Sequence, residues 1–281
     1  MSPSDILYNH DFFKNFTSIR KNSKEGNTGR FMDTLNFIGN ATTLLKIGEV
    51  NILIDPSFFH GTHRVHMGWG LFSRRLIPPV TDKLLEVQLV LLTHTHKDHF
   101  DDEAVELLRD MQPTVITNPS DMGKLRKAGF CDVRPITSET TLEFDQFQVI
   151  GIPARHGPIF LRPFVGAVTG FGIETGKGKL WISGDTIGTS DLKERLKVFL
   201  PDVAIPFFGG VKYLGFSLTF DERSAFEMID EVESIRRIFP IHVDDWSHFN
   251  TTPEKIRDVF QENSKIEVIF PPRGKEISIW T

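Results

Sequence analysis

The segment Thr93-His94-Thr95-His96-Lys97-Asp98-His99 carries four potential metal ligands, His94, His96, Asp98 and His99, within six residues. Imidazole and carboxylate donors together suit zinc, and also iron or manganese. A lone histidine on a loop is ordinarily a solvated polar residue. Three with an aspartate at H-x-H-x-D-H spacing point instead to a bound cation. The flanking sequence says how such a loop is held. The apolar run Val87-Gln88-Leu89-Val90-Leu91-Leu92 reads as a buried strand, and Asp101-Asp102-Glu103 puts acids in the first turn of a helix continuing through residues 104–108. The histidines therefore leave the C-terminal end of a strand on a tight loop. There His94 and His96 can point one way while Asp98 and His99 turn toward a neighbouring point.

An H-x-H-x-D-H segment after an apolar strand resembles the signature of the metallo-β-lactamase superfamily of binuclear metallohydrolases. The resemblance implies three further ligands in fixed order: a histidine, an aspartate and a last histidine. The chain offers His156 after the strand-like Phe147-Gln148-Val149-Ile150-Gly151-Ile152, Asp185 in Ser183-Gly184-Asp185-Thr186, and His242 at the end of Arg236-Arg237-Ile238-Phe239-Pro240-Ile241-His242. Gly184 lets the backbone turn tightly before the carboxylate. By this resemblance His94, His96 and His156 hold one ion, Asp98, His99 and His242 a second, and Asp185 bridges. The implied fold is an α/β protein, the αβ/βα four-layer sandwich with two mixed sheets face to face and helices outside. The implied cofactors are two divalent ions, zinc first, with manganese or iron as alternatives. They share a water whose lowered pKa makes it the nucleophile, so Cys131 is not needed for attack and Asp98, as a ligand, is no free general base. His96 stands where di-iron oxygen-reducing relatives commonly have Glu, which favours hydrolysis over redox chemistry. Asp98, Asp185 and His248 are the expected catalytic residues.

One branch of the superfamily is closer. Ile38-Gly39-Asn40-Ala41-Thr42, then Ile54-Asp55-Pro56, then the R-L-x-P-P run from Arg75 to Pro79 are similar to N-acyl-phosphatidylethanolamine phospholipase D-like and ascorbate-6-phosphate lactonase-like proteins. Asn40 replaces the histidine common there. Asp55 either orients a ligating histidine from behind or caps a turn. The run H-x-x-x-W-x-H-F adds His248, which donates a proton to a leaving group, hydrogen-bonds substrate, or serves a structural role. His248 could also exchange places with His242 as the last ligand; the strand-end position favours His242.

Residues 57–83 form a long, aromatic and basic insertion, read as a hood over the site. Arg74 and Arg75 are expected to meet an anionic group of the substrate, with Phe58 and Phe208 expected among the substrate contacts. His60, His63 and His66 read as solvated loop residues. Elsewhere the chain alternates strands and hairpins with helices at 120–127, 186–197, 219–232 and 253–261. Residues 1–33 read as a partly ordered N-terminal arm with a short helix over 11–19, and 34–281 as one hydrolase domain.

Composition sets the outer limits. The 281 residues are 40% hydrophobic and 25% charged, enough for a substantial core. A net charge of −5 offers no basic field for nucleic acid. One cysteine excludes an intramolecular disulfide, and the N-terminus lacks the charged start and apolar core of a secretory signal, so a cytoplasmic location is expected. No apolar run reaches the roughly 20 residues of a membrane span, although peripheral membrane contact stays compatible. The leading expectation is hydrolysis of a small or lipid-like ester, first a phosphodiester in the manner of phospholipase D, with a lactone as the alternative. A non-catalytic metal-binding sensor is the reading from another class; loose metal retention would mark it.

Overall fold

The computed structural model describes residues 32–61, 63–68, 71–81, 86–261 and 265–280. The expected helix over 11–19 lies outside the described residues. Strands β1 (Thr34–Gly39), β2 (Thr42–Ile47) and β3 (Val50–Ile54) form an antiparallel meander. A hairpin of β4 (Val65–Gly68) and β5 (Leu71–Ser73) follows. Next come β6 (Leu89–Leu92), helix α1 (Asp102–Met111), β7 (Thr114–Thr117), helix α2 (Met122–Lys127) and β8 (Val133–Pro135). The chain continues through β9 (Thr141–Glu143), β10 (Phe147–Pro153), a 3-10 turn (Ile159–Leu161) running into α3 (Arg162–Val165), β11 (Thr169–Thr175) and β12 (Gly178–Ile182). Helix α4 (Ser190–Phe199), β13 (Val203–Ile205), a hairpin of β14 (Lys212–Tyr213) and β15 (Phe216–Ser217), and α5 (Glu222–Asp230) come next. Strand β16 (Arg237–Ile238), helix α6 (Pro253–Phe260), β17 (Glu267–Val268) and β18 (Glu276–Ser278) close the fold.

Two seven-stranded sheets result, in the orders β18-β1-β2-β3-β6-β7-β8 and β17-β16-β13-β12-β11-β10-β9. Each is mixed: β3, β6, β7 and β8 run parallel in the first, β12, β13, β16 and β17 in the second. The two-residue period of a strand builds the layers. In β6, Leu89 and Leu91 join the central core between the sheets, while Val90 and Leu92 join an outer core with Ala104 and Leu108 of α1. In β12, Leu180 and Ile182 face the central core and Trp181 faces a third cluster with Leu192, Leu196 and Phe199 of α4. Strands covered on both faces read as unbroken apolar runs, and a one-residue slip would exchange the two layers. Gly172 of β11 is required by packing, because a Cβ there would stand 2.7 Å from the Phe199 ring.

Helices α1, α4, α5 and α6 start behind side-chain caps. Asp101 accepts the Ala104 N–H at 2.8 Å, and the acids at Asp102 and Glu103 complement the helix dipole. The helix expected from residue 186 begins at Ser190, where Thr189 caps it, because the Thr186 hydroxyl oxygen is engaged by the Arg155 N–H. The helix expected from 219 begins at Glu222 behind a capping box of Asp221 and Ser224, and Thr219 instead accepts the Val211 N–H. Asp33, assigned to the arm by sequence, is buried and accepts bonds from Trp280 Nε1 at 2.7 Å and Gly48 N at 3.1 Å. Among the described residues no helix is long and apolar enough to cross a membrane.

Candidate metal centre

Four chain segments following β6, β10, β12 and β16 bring seven side chains together. Those segments supply His94, His96, Asp98 and His99, then His156, then Asp185, then His242. Two groups of donor atoms form, His94 with His96 and His156, and Asp98 with His99 and His242, the atoms of each within 4.8 Å of one another. Asp185 lies against both: its Oδ2 is 3.8 Å from His156 Nε2 and 3.4 Å from His99 Nε2, and its Oδ1 is 3.6 Å from His242 Nδ1.

The hydrogen bonds behind these rings decide which nitrogen faces inward. His156 Nδ1–H donates to the Leu218 carbonyl at 2.9 Å, which leaves Nε2 with its lone pair. Asp55 performs the same service twice. Its Oδ2 accepts His99 Nδ1–H at 2.8 Å and the Thr93 hydroxyl at 2.7 Å, and its Oδ1 accepts Thr93 N–H at 2.7 Å. With the Thr93 hydroxyl proton committed to Asp55, Thr93 Oγ1 is an acceptor for His94 Nδ1–H at 3.0 Å, and His94 Nε2 keeps its lone pair, facing His96 Nδ1 at 3.0 Å. One carboxylate thus orients His99 directly and His94 through Thr93, the first of the two roles left open for Asp55.

His242 is held on strained backbone, at φ 58°. Its N–H donates to the Asn40 carbonyl at 2.9 Å, and Gly209 leaves room for its ring, since a Cβ there would stand 3.1 Å from Nδ1. Asn40 Nδ2 donates to the Asp98 backbone carbonyl at 2.5 Å. The asparagine that replaces the branch's usual histidine therefore links the Asp98 loop to the His242 loop. Gly184, at φ 62°, makes the expected turn before Asp185, its Cα packed against Thr169 and Thr93.

The electrostatics suit a cation. Burial, reinforced by the neighbouring imidazoles of His99 and His96, lowers His94 well below its ordinary value. Burial and His156 lower His96 to about 4. Both rings stay neutral at physiological pH, as ligation requires. Burial opposes the charge on Asp98 and Asp185, yet the surrounding imidazoles outweigh it and hold both carboxyls well below the usual range. Burial likewise opposes a charge on His99, but Asp185, Asp98 and Asp55 raise it well above the ordinary value. Charge that draws a proton to His99 Nε2 would draw a divalent cation to the same place. His99 Nε2, Asp185 Oδ1 and both ring nitrogens of His242 are buried without a hydrogen-bond partner. Leaving such an atom unpaired costs about 1–3 kcal/mol, so a converging set of four fits a bound metal.

His248 stands beside this group. Its Nε2 is 3.8 Å from Asp98 Oδ2, its Nδ1 is 2.7 Å from Ser73 Oγ, and it lines the adjoining cleft. Burial lowers its pKa, against the pull of Asp98.

The expected substrate contacts are not brought together here. Phe58 packs with Ile38, Leu44 and Phe100 in the outer core of the first sheet, and Phe208 is fully buried in the cluster under α4, α5 and α6. Arg75 is also buried. Its guanidinium donates to the carbonyls of Ser57 at 3.0 Å and Ile77 at 3.1 Å and packs over Trp246. Burial lowers its pKa from the ordinary value, against the pull of Asp245 and Asp101. These contacts tie it into the insertion, and its second terminal nitrogen is buried without a hydrogen-bond partner. Arg74 is exposed and joins the fold through its backbone N–H to Ser247 Oγ at 3.0 Å. His60, His63 and His66 are exposed and belong to neither donor group. Among the described residues the insertion contributes Met67 to the cleft wall, backs His248 through Ser73, and holds Asp101 after the ligand loop through the Ser57 hydroxyl and the Phe59 N–H.

What sequence reasoning missed is the cleft. Met67, Leu161, Phe164, Val165, Val211 and Leu218 line an opening of about 230 Å³ that ends on His96, Asp98, His156, Asp185 and His248. The signal available was faint: an Ile159-Phe160-Leu161 run too short to show a period, and Phe216 beside the Gly215 turn.

Comparison with known proteins places the chain. A family profile described as the beta-lactamase superfamily domain matches residues 34–242. The chain belongs to this superfamily. A relative from Salinibacter ruber, named UPF0173 metal-dependent hydrolase, is 27% identical over 231 residues, covering 81% of this chain and 92% of its own. Among solved structures, a possible metal-dependent hydrolase from Veillonella parvula superposes with a TM-score of 0.76 at 25% identity, over 88% of this chain and all of that one. An isothiocyanate hydrolase from Delia radicum gut bacteria superposes with a TM-score of 0.75 at 22% identity, over 88% and 100% respectively. The two facing mixed sheets with outer helices are the metallo-β-lactamase fold.

Proposed function

We propose that this chain, a metal-dependent hydrolase of the metallo-β-lactamase fold, cleaves an ester-type bond in a small substrate whose apolar group fills the cleft. Carboxylic esters and lactones are favoured over phosphodiesters. The observation that carries this reading is the cleft wall: it is aliphatic and aromatic, Tyr213 adds one hydroxyl, and among the described residues no Lys or Arg lines it. Neither Arg74 nor Arg75 is among the described residues lining the cleft. Ile159, Phe160, Leu214 and Phe216 stay exposed close by in sequence, which suits a greasy or lipid-like substrate.

The ligand set proposed is His94, His96 and His156 for one divalent ion, Asp98, His99 and His242 for the other, and Asp185 between them. Nitrogen-rich donors favour zinc. Ions bound there supply Lewis acidity toward the attacked oxygen and a water of lowered pKa. The chain's own part is to fix the donors from behind through Asp55, Thr93 and the Leu218 carbonyl, to exclude water with the apolar wall, and to present His248 to the leaving group. A phosphodiester remains the second reading, because two divalent ions against two carboxylates leave net positive charge for an anionic ester.

The test is a panel on zinc-loaded protein: p-nitrophenyl acyl esters of rising chain length, lactones, bis-p-nitrophenyl phosphate and benzyl isothiocyanate. We expect kcat/KM to rise with acyl chain length. Turnover of the phosphodiester alone, or of the isothiocyanate alone, would overturn the ester reading. In the same panel His248→Ala is expected to lower kcat about 10²-fold with metal content unchanged. Loss of an ion instead would make His248 a ligand.

A further inference from the structure

A second cavity, of about 460 Å³, shares His156 with the apolar cleft and has a more polar, mixed wall. Asn118, Ser120, Thr137, Ser138, Arg155 and Arg162 contribute to its wall. The short turn between β10 and β11 divides the two spaces: Leu161, Phe164 and Val165 line the cleft, whereas Ile159, Arg162 and Gly166 line the second cavity. Its floor is fixed. Gly151 allows residues 137–138 to lie directly on β10, since a Cβ there would stand 1.8 Å from the Thr137 carbonyl oxygen. The backbone beneath Arg155 is clamped by its N–H to Thr186 Oγ1 at 2.9 Å and by Ile187 N–H to its carbonyl at 2.9 Å.

Arg155 Nε is buried with no hydrogen-bond partner. Among the described residues neither Arg155 nor Arg162 forms an ion pair, and Asp191, which also lines the cavity, is exposed. A buried guanidinium N–H without an acceptor is unfavourable unless a ligand supplies one. Arg155, half-buried, and Arg162, exposed at the rim, are two unpaired guanidinium groups in one concavity of a chain with net charge −5, and they concentrate positive potential there. Their planar forks match the oxygens of carboxylate and phosphate.

We propose that this cavity is an oxyanion subsite, in which Arg155 and Arg162 hold a carboxylate or phosphate carried by the substrate at the end remote from the bond being cleaved. The proposal rests on the ester-hydrolase reading for the substrate's other parts. A molecule passing His156 places its apolar group in the cleft, the scissile bond at the seven-residue cluster and its anionic end between the arginines.

Two readouts test it on zinc-loaded wild type, Arg155→Gln, Arg162→Gln, the double variant and Arg155→Lys, with metal content measured in each. The first is calorimetric titration with inorganic phosphate, in which the part of the binding lost with the arginines, at equal metal content, reports the subsite without turnover. The second is the ratio of kcat/KM for mono-p-nitrophenyl adipate to that for p-nitrophenyl hexanoate. We expect phosphate affinity and the ratio each to fall about tenfold per arginine removed. Arg155→Lys, which keeps the charge and loses the fork, should give a smaller loss and so separate recognition from misfolding. Unchanged phosphate affinity and an unchanged ratio in the double variant would overturn the subsite. Weakened phosphate binding with an unchanged ratio would assign the cavity to a free anion and overturn the substrate role. Weakened phosphate binding with neither ester turned over would leave the oxyanion site standing and remove the ester reading.

Discussion

Asp185→Asn is expected to lower turnover by about 10³-fold or more while leaving the fold intact. Asparagine is nearly isosteric, and the turn that presents it is held by other groups: Gly184 at φ 62° and the Ser183 hydroxyl, which accepts the Phe207 N–H at 2.9 Å. What disappears is a charge that faces His99, His156 and His242 at 3.4, 3.8 and 3.6 Å. That carboxylate faces both donor groups, so its loss would weaken the hold of each on a bound cation. An amide also brings N–H donors into a place that needs lone pairs. Kinetics on the best substrate of the panel, with metal content and thermal melting on the same sample, check this. A variant that keeps a tenth of the wild-type rate would remove Asp185 from the proposed role.

The second large effect is expected from Asp55→Ala, a residue that touches no substrate. Asp55 is fully buried, and removing its carboxylate strips acceptors from Thr93 N–H, the Thr93 hydroxyl and His99 Nδ1–H at once. At about 1–3 kcal/mol for each of the three buried unsatisfied donors, a loss of roughly 3–9 kcal/mol follows. At about 2–4 °C per kcal/mol for a chain of this size, even the lower end lowers Tm by roughly 6–12 °C. Two terms act in opposite directions. Burial raises the Asp55 pKa, against the lowering by His99 and Thr93, so deleting the group relieves some desolvation. The backbone at φ 39° is less comfortable for alanine than for aspartate. The functional consequence separates this account from simple destabilisation. Because Asp55 sets His99 directly and His94 through Thr93, zinc affinity should drop about 10- to 100-fold at both sites, not one. Stepwise zinc titration of wild type and variant below the variant's melting temperature would show it; a loss confined to a single site would break the proposed Thr93 relay.

The residues of the centre were legible for a physical reason. Each donor follows an apolar strand directly or within a few residues, so hydrophobic patterning locates it, and four of the seven sit inside one six-residue window. The layers were legible because β6 and β12 are buried on both faces and read as continuous apolar runs. The substrate side was not. Its wall comes from Met67, from residues 161–165 and from residues 211–218, segments too short to carry a helical or strand period and far apart in the chain. Arg75 was misleading because an arginine in an insertion is ordinarily solvated; only the folded chain shows it enclosed by the Ser57 and Ile77 carbonyls and Trp246. Phe58 and Phe208 lie next to site loops in sequence but point into the outer cores. Asp55 was visible as a residue, but its reach to two histidines depends on Thr93 lying between them in space.

The central claim is that the seven side chains hold two divalent ions. Diffraction from zinc-loaded crystals, with data collected on both sides of the zinc absorption edge, addresses it directly. The account predicts two anomalous peaks per chain. One should lie about 2.0–2.1 Å from ring nitrogens of His94, His96 and His156, the other at similar distance from His99 and His242 with Asp98, and Asp185 should stand between them. A lone peak, or strong peaks that avoid these residues, would contradict it.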